Sequence, residues 1–173
     1  VQAIVGLERY NFNVDFTEPW LFDIPLRFDL SGYGNYVEYD HWDEQRIGVK
    51  TSLTKRILQN IDEFNTATVG YKFEYVEVDN VSRHSSEYLR SLQTHDLVSQ
   101  FSLLLNRDTR DNLLEPTSGY QVSVLGAVSP RIAGSSEDFY RTEARGSYYY
   151  SFWDKAIIWH VGAHIGVVDN FGG

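Results

Sequence analysis

Apolar residues in this chain recur at every second position along runs of about ten residues, and that period suits strands with two unlike faces rather than helices. The last run is the clearest. Ile157, Trp159, Val161, Ala163, Ile165 and Val167 share one face, and His160, Gly162, His164 and Gly166 share the other. A second run sets Ala67, Val69, Tyr71, Phe73 and Tyr75 against Thr66, Thr68, Lys72 and Glu74. A third sets Tyr140, Thr142, Ala144, Tyr148 and Tyr150 against Arg141, Glu143, Arg145 and Ser147. Near the start, Tyr10, Phe12, Val14 and Phe16 alternate with Asn11, Asn13, Asp15 and Thr17, and Leu26, Phe28 and Leu30 with Arg27, Asp29 and Ser31. Eight strands are predicted, over 6–17, 24–35, 44–55, 64–78, 97–107, 119–129, 138–151 and 156–168.

Several of these runs reach the ~9–11 residues with which a tilted strand crosses hydrocarbon, whereas soluble strands more often stop near ~5–6. The expected fold is therefore all-β: an antiparallel transmembrane barrel of about eight meandering strands, with 1–173 as one domain. Val69, Tyr71, Phe73, Trp159, Val161 and Ile165 are expected to face lipid. Lys72, Glu74, Arg141, Glu143, Arg145, His160 and His164 are expected to face the lumen. A soluble β-sandwich with a sugar- or protein-binding face is the competing architecture, since a half-buried sheet alternates too.

The connections divide into two sets. Links at 19–23, 58–62, 112–118 and 153–155 alternate with links at 36–43, 80–96 and 130–137, and the second set is longer on the whole. Outer-membrane barrels have short periplasmic turns and longer external loops, so the first set is expected in the periplasm. Aromatics gather at the strand ends, as interfacial girdles would: Phe16, Trp20 and Phe22 at one turn, Tyr148, Tyr149, Tyr150, Phe152 and Trp153 at another, and Tyr33, Tyr36, Tyr39 and Trp42 at an external loop. Aromatics are 15% of the chain, and no apolar run approaches the ~20 residues of a membrane helix.

The remaining chemistry is sparse. A net charge of −9 argues against a nucleic-acid partner, and the absence of cysteine excludes a disulfide scaffold and thiolate metal sites. His160 and His164, four apart on a strand, would lie roughly 13 Å from one another, too far to share a metal. His41, His84 and His95 lack a carboxylate–histidine cluster. Arg141, Glu143 and Arg145 are expected to form an ion ladder inside the barrel. No phosphate loop or dinucleotide fingerprint is present, and no catalysis, metal or cofactor is expected.

Two motifs carry a family resemblance. Glu18-Pro19-Trp20-Leu21, after a strand, resembles the strand–Pro–aromatic turn of the surface-antigen domain in BamA-type outer-membrane assembly factors. Arg107-Asp108-Thr109-Arg110-Asp111-Asn112, followed by Glu115-Pro116-Thr117-Ser118-Gly119-Tyr120, resembles that family's periplasmic turn. Asp138-Phe139-Tyr140-Arg141 and the Tyr148–Tyr150 cluster match its next strand in order and spacing. The turn also reads physically. Pro116 presets φ, Gly119 gives a permissive backbone, Asp108 and Asp111 can accept turn amides, and Arg110 can pair with either.

The resemblance implies a segment from the middle of a 16-stranded barrel, without the terminal strands that form the family's lateral gate. The family's lumenal Arg-Gly-Phe motif, its periplasmic POTRA repeats and its closing strands are not in the sequence, which reads as processed or cropped. By resemblance the whole protein would sit in the bacterial outer membrane and insert client barrels without ATP. Its partners would be outer-membrane lipid, unfolded barrel clients and assembly-complex subunits. Alternatives are the barrel of a related secretion or patatin-fused protein, or a complete small eight-stranded structural or adhesive barrel. An open segment studied alone is expected to pair edge to edge as a homodimer or to close on itself.

Overall fold

The structure is a computed structural model and describes residues 2–5, 9–39, 42–79 and 94–171. One antiparallel sheet contains every described strand, in the order of the chain: β1 (Gln2–Val5), β2 (Arg9–Glu18), β3 (Leu26–Glu38), β4 (Asp43–Arg56), β5 (Asn65–Asp79), β6 (Thr94–Asp108), β7 (Gly119–Ser129), β8 (Phe139–Phe152) and β9 (Ile157–Asn170). The meander is as the alternation predicts, with one strand more. The short β1 pairs with Val5 opposite Tyr10 and Gln2 opposite Asn13. Four residues are too few to show a period, which is why it is not visible in the sequence. The sheet is open, with β1 and β9 at its edges.

From β2 to β9 the strands are 10 to 15 residues long, enough to cross hydrocarbon at the usual tilt. Their register runs without a slip. Phe28 faces Leu53, Leu53 faces Val69, Val69 faces Leu103, and Leu103 faces Gly126. Cross-strand partners share a face, so one apolar surface continues from Phe12 and Phe16 through Val49, Phe73, Leu105 and Val124 to Ile165. These side chains are exposed: Phe16 at 55%, Val69 at 59% and Ile165 at 70%. Among the described residues nothing packs over them as the second layer of a sandwich.

The other face is polar and concave. A cleft of about 440 Å³ is lined by Asp29 of β3, Lys50 of β4, Lys72 of β5, Gln100 of β6, Leu125 of β7 and Arg141 of β8. Side chains five strands apart meet one cavity only if the sheet curls towards that face.

The 19–25, 57–64, 109–118 and 153–156 connections lie at one end of the sheet, the turn end. The 39–42 and 130–138 connections lie at the other, the loop end. Strand growth changes the length pattern: β3 and β4 extend to Glu38 and Asp43, so the expected 36–43 loop contracts to four residues closed by Tyr39 N–H to Trp42 O at 2.9 Å. The contrast in length between the two ends then rests mainly on 80–93. That segment, with His84, His41, Gly172 and Gly173, lies outside the described residues.

The 153–156 turn is tight and contains no glycine. Trp153, Asp154 and Lys155 have φ of 47°, 51° and 70°, in the left-handed region that L side chains enter at a cost. Asp154→Gly is expected to stabilise the folded sheet by about 0.5–1 kcal/mol, because glycine adopts that φ freely. The measurement is the urea midpoint of the detergent-solubilised protein, and an unchanged or lowered midpoint contradicts the strain argument.

Candidate functional site

Two places concentrate the polar chemistry: a row across the concave face and the turn at residues 109–118.

The row begins with register. Tyr33 of β3 lies opposite Gly48 of β4, and Gly48 opposite Glu74 of β5. Gly48 has no side chain to block the row, so the Tyr33 ring crosses β4 and donates its hydroxyl to Glu74 Oε2 at 2.5 Å. A Cβ at Gly48 would come within 2.6 Å of that hydroxyl and 2.9 Å of the Phe73 carbonyl oxygen. Lys72 Nζ donates to Glu74 Oε1 at 3.0 Å, and Glu74 is only 6% exposed. Lys50 Nζ sits 4.6 Å from the Tyr33 ring centroid, a cation–π distance. Above the row lies a cleft of about 540 Å³, bordered by Asn11, Asn13, Ser31, Asn35 and Arg46. Lys72 and Glu74 lie together on the concave, polar face. Tyr33, expected among the aromatics of the external loop, instead stands within β3 with its ring on the polar face, and its link to Glu74 across Gly48 needs the register of three strands.

Further along the same face, Arg141 Nε lies 2.6 Å and Arg145 Nη2 3.1 Å from the Glu143 carboxylate, with His164 Nε2 at 3.6 Å. The expected ion ladder thus gains a histidine from β9. His160 does not join it and stacks on Tyr149, centroids 4.5 Å apart. Among the described residues no three metal-capable side chains converge.

At the turn end, Asp111 organises residues 109–118. Its Oδ1 accepts the amides of Asn112 (3.0 Å), Thr117 (2.9 Å) and Ser118 (3.0 Å), and its Oδ2 accepts the Thr117 hydroxyl at 2.5 Å. These bonds favour the carboxylate, the Thr117 hydroxyl most, and hold the Asp111 carboxyl far below the usual range. Lys155 Nζ, 3.6 Å away, adds to the effect and joins this turn to the next one along. Arg110 pairs with Asp108 rather than with Asp111, through two bonds of 2.9 and 2.6 Å, and the carboxylate raises the guanidinium pKa. Gly119 has φ +98°, and a Cβ there would collide with the Thr109 carbonyl and come 2.9 Å from Arg110 Cα. Tyr120 returns the chain to the sheet: its amide donates to Thr109 Oγ1 at 3.0 Å and its carbonyl accepts the Thr109 amide at 2.8 Å. Pro116 stands at the foot of this loop, before Thr117.

Arg107, quoted in the motif without a role, is a junction. It donates to the Tyr120 hydroxyl at 2.7 Å, to Asp62 at 2.7 Å and to Asn65 at 3.1 Å. Its guanidinium lies within 5.9 Å of the Phe64 and Tyr120 ring centres. It ties the 57–64 turn to β7. In the 19–25 turn, Glu18 Oε1 accepts the Trp20 amide at 3.1 Å across Pro19, so Glu18, Pro19 and Trp20 form a small capped corner.

The arrangement fixes turns and side-chain rows in place; it positions structure. Gly119→Ala is expected to cost about 1–3 kcal/mol, read as a lowered urea midpoint. The Asp111 bonds stabilise the turn fully above the unfolded pKa of ~3.9 and are lost as pH falls through the depressed folded value. Amides of Thr117 and Ser118 should therefore keep their exchange protection in acid where free aspartate is already protonated. Asp111→Ala should remove that protection at neutral pH.

The comparisons with known proteins agree with this geometry. In solved structures the chain resembles a crystal structure of BamA from Haemophilus ducreyi lacking POTRA domains 1-3, with a TM-score of 0.75 at 16% identity. The match covers 95% of this chain and 34% of that one, so the chain spans about a third of its structural neighbour. No curated protein matches by sequence. The Omp85 superfamily domain matches residues 1–173. The open antiparallel arc and its two unlike faces agree with that match, and the chain belongs to the Omp85 superfamily.

Proposed function

We propose that this chain is the rigid wall of an outer-membrane β-barrel, in a protein that folds and inserts other barrel proteins without ATP or covalent chemistry. The observation that supports the reading most is the unbroken register, which places every apolar row from β2 to β9 on one exposed, convex side. In water such a surface would aggregate; against acyl chains it is the stable arrangement. Val69, Tyr71, Phe73, Trp159, Val161 and Ile165 then meet lipid. Lys72, Glu74, Arg141, Glu143, Arg145, His160 and His164 line the lumen. The turn end, with the 109–118 motif, faces the periplasm.

Outer-membrane lipid is the partner of the convex side. Unfolded barrel clients and assembly subunits are partners of the whole protein. The edges at β1 and β9 join flanking strands of the full barrel, and in isolation they pair edge to edge.

Opposite faces give opposite outcomes. Val124→Arg, on the apolar row at mid-strand, is expected to destabilise the protein in bilayers by about 2–4 kcal/mol. Ser123→Arg, on the polar cleft beside Asn106 and Arg145, should change stability little. Equal effects at the two positions would refute the assignment of faces. The activity is tested with the full-length protein in liposomes. Unfolded client barrels should acquire heat-modifiable gel migration faster than in empty liposomes, in the absence of nucleotide. An unchanged rate counts against insertion as the function.

A further inference from the structure

The convex face is not evenly covered by side chains. Phe101, Val128 and Tyr140 form one cross-strand row on it, and Leu103, Gly126 and Thr142 form the next. Where the two rows meet over β7, a shallow depression of about 490 Å³ opens. Its floor is Gly126. A Cβ built there would meet nothing within 4 Å, so no neighbouring side chain fills the gap. Gly48 on the concave face differs, because the Tyr33 ring lies where its side chain would be. The aromatic walls of the depression are braced from behind. The Phe101 ring lies 4.9 Å from the Tyr71 ring, and the Tyr71 hydroxyl lies 3.0 Å from Oγ of the fully buried Ser99. On the other side the Tyr140 ring lies 6.5 Å from the Phe171 ring. Phe101 stands at the middle of β6 and Tyr140 is the second residue of β8, so the depression runs from mid-sheet towards the loop end.

We infer that this depression seats one acyl chain of a membrane lipid, entering from the loop end and held longer than the chains that merely surround the barrel. The inference rests on the reading of the convex side as lipid-facing, a surface with which the depression is continuous. The occupant follows from the lining. No charged side chain borders the depression, so an ionic group placed in it would lose its hydration without a partner. An added polypeptide strand would need free main-chain donors and acceptors, and those of β7 are already paired with β6 and β8. An acyl chain needs neither. It needs apolar walls and room, and the volume lies within the ~300–1,000 Å³ of ligand sites. Methylenes laid over Gly126 regain the dispersion contacts that an unfilled gap forfeits. Since each aromatic wall is held by a second ring, little ordering remains to be done on binding.

The test uses the full-length protein, extracted from membranes in a mild detergent, with its retained lipid counted by mass spectrometry of the intact protein. Gly126→Leu fills the floor of the depression. Gly146→Leu adds the same bulk to the same face, where a Cβ also meets nothing, but opposite Val122 and outside the depression. The unaltered protein and Gly146→Leu should each retain one lipid more than Gly126→Leu. Phe101→Ala removes a wall and should lose the same lipid, which keeps the test open if Gly126→Leu does not fold. Equal retention in the unaltered protein, Gly126→Leu and Phe101→Ala overturns the proposal. So does an equal loss in Gly126→Leu and Gly146→Leu, which marks a general effect of bulk on the convex face. If Val124→Arg destabilises the protein in bilayers while retention is equal at Gly126, the seat fails and the lipid-facing reading stands.

Discussion

Every backbone amide and carbonyl at hydrocarbon depth must find a partner inside the protein, because the surrounding medium offers none. This constraint shapes the chain more than any single contact. It accounts for the absence of helical and irregular backbone between the ends of the sheet. It also accounts for the fidelity of the register, since side chains alternate with period two and a slip of one residue would turn a whole row to the wrong medium. A slip between β4 and β5 would send Lys72 and Glu74 outward and bring Phe73 in. The coupling of ladder and face is why nine strands can share a single division between apolar and polar sides.

The same constraint explains the two places where the described residues are most enclosed. At Gly48 a side chain is missing, and the Tyr33 ring fills the gap while finding an acceptor in Glu74. Beyond Phe101 no described strand follows on the β7 side, and serine hydroxyls from the end of β7 and the loop after it take up the ladder. Both are repairs to an interrupted sheet, one of packing and one of hydrogen bonding. Both use hydroxyl groups, which can donate and accept at once and rotate to suit.

Much of this was legible in the sequence, because period-two patterning is a local property. β7 matches its expected bounds of 119–129, with Gly119 opening it and Pro130 following it. The ends of the other strands moved by one to three residues, as polar strand tips such as Glu38 and Asp43 resemble loop; the expected start at 6 lies outside the described residues. The turn motif was partly legible. Asp111 accepts turn amides as its neighbourhood suggested, but its link to Lys155 joins residues 44 apart in the chain and needed the fold. Likewise Arg110 had two candidate carboxylates, and only backbone geometry selects Asp108. The Tyr33–Gly48–Glu74 row and the serine bonds to Leu97 and Ser99 of β6 were not legible, because each depends on which residues stand opposite one another across strands. A glycine at 48 and serines at 99, 129, 135 and 136 carry no pattern of their own.

The charges of the concave face have an order that bears on what such a wall does. Arg27 pairs with Asp29, Arg46 with Glu44, Lys72 with Glu74, and Arg141 and Arg145 with Glu143. Each pair joins positions two apart on one strand, although β8 sets two arginines against one glutamate and β4 carries Lys50 besides its pair. Singly these partly exposed pairs add little stability, about 0–1 kcal/mol. Their consequence is electrostatic: they confine the field of each charge to a few ångströms. Such pairing leaves the concave face wet while damping the field that each paired charge projects along it.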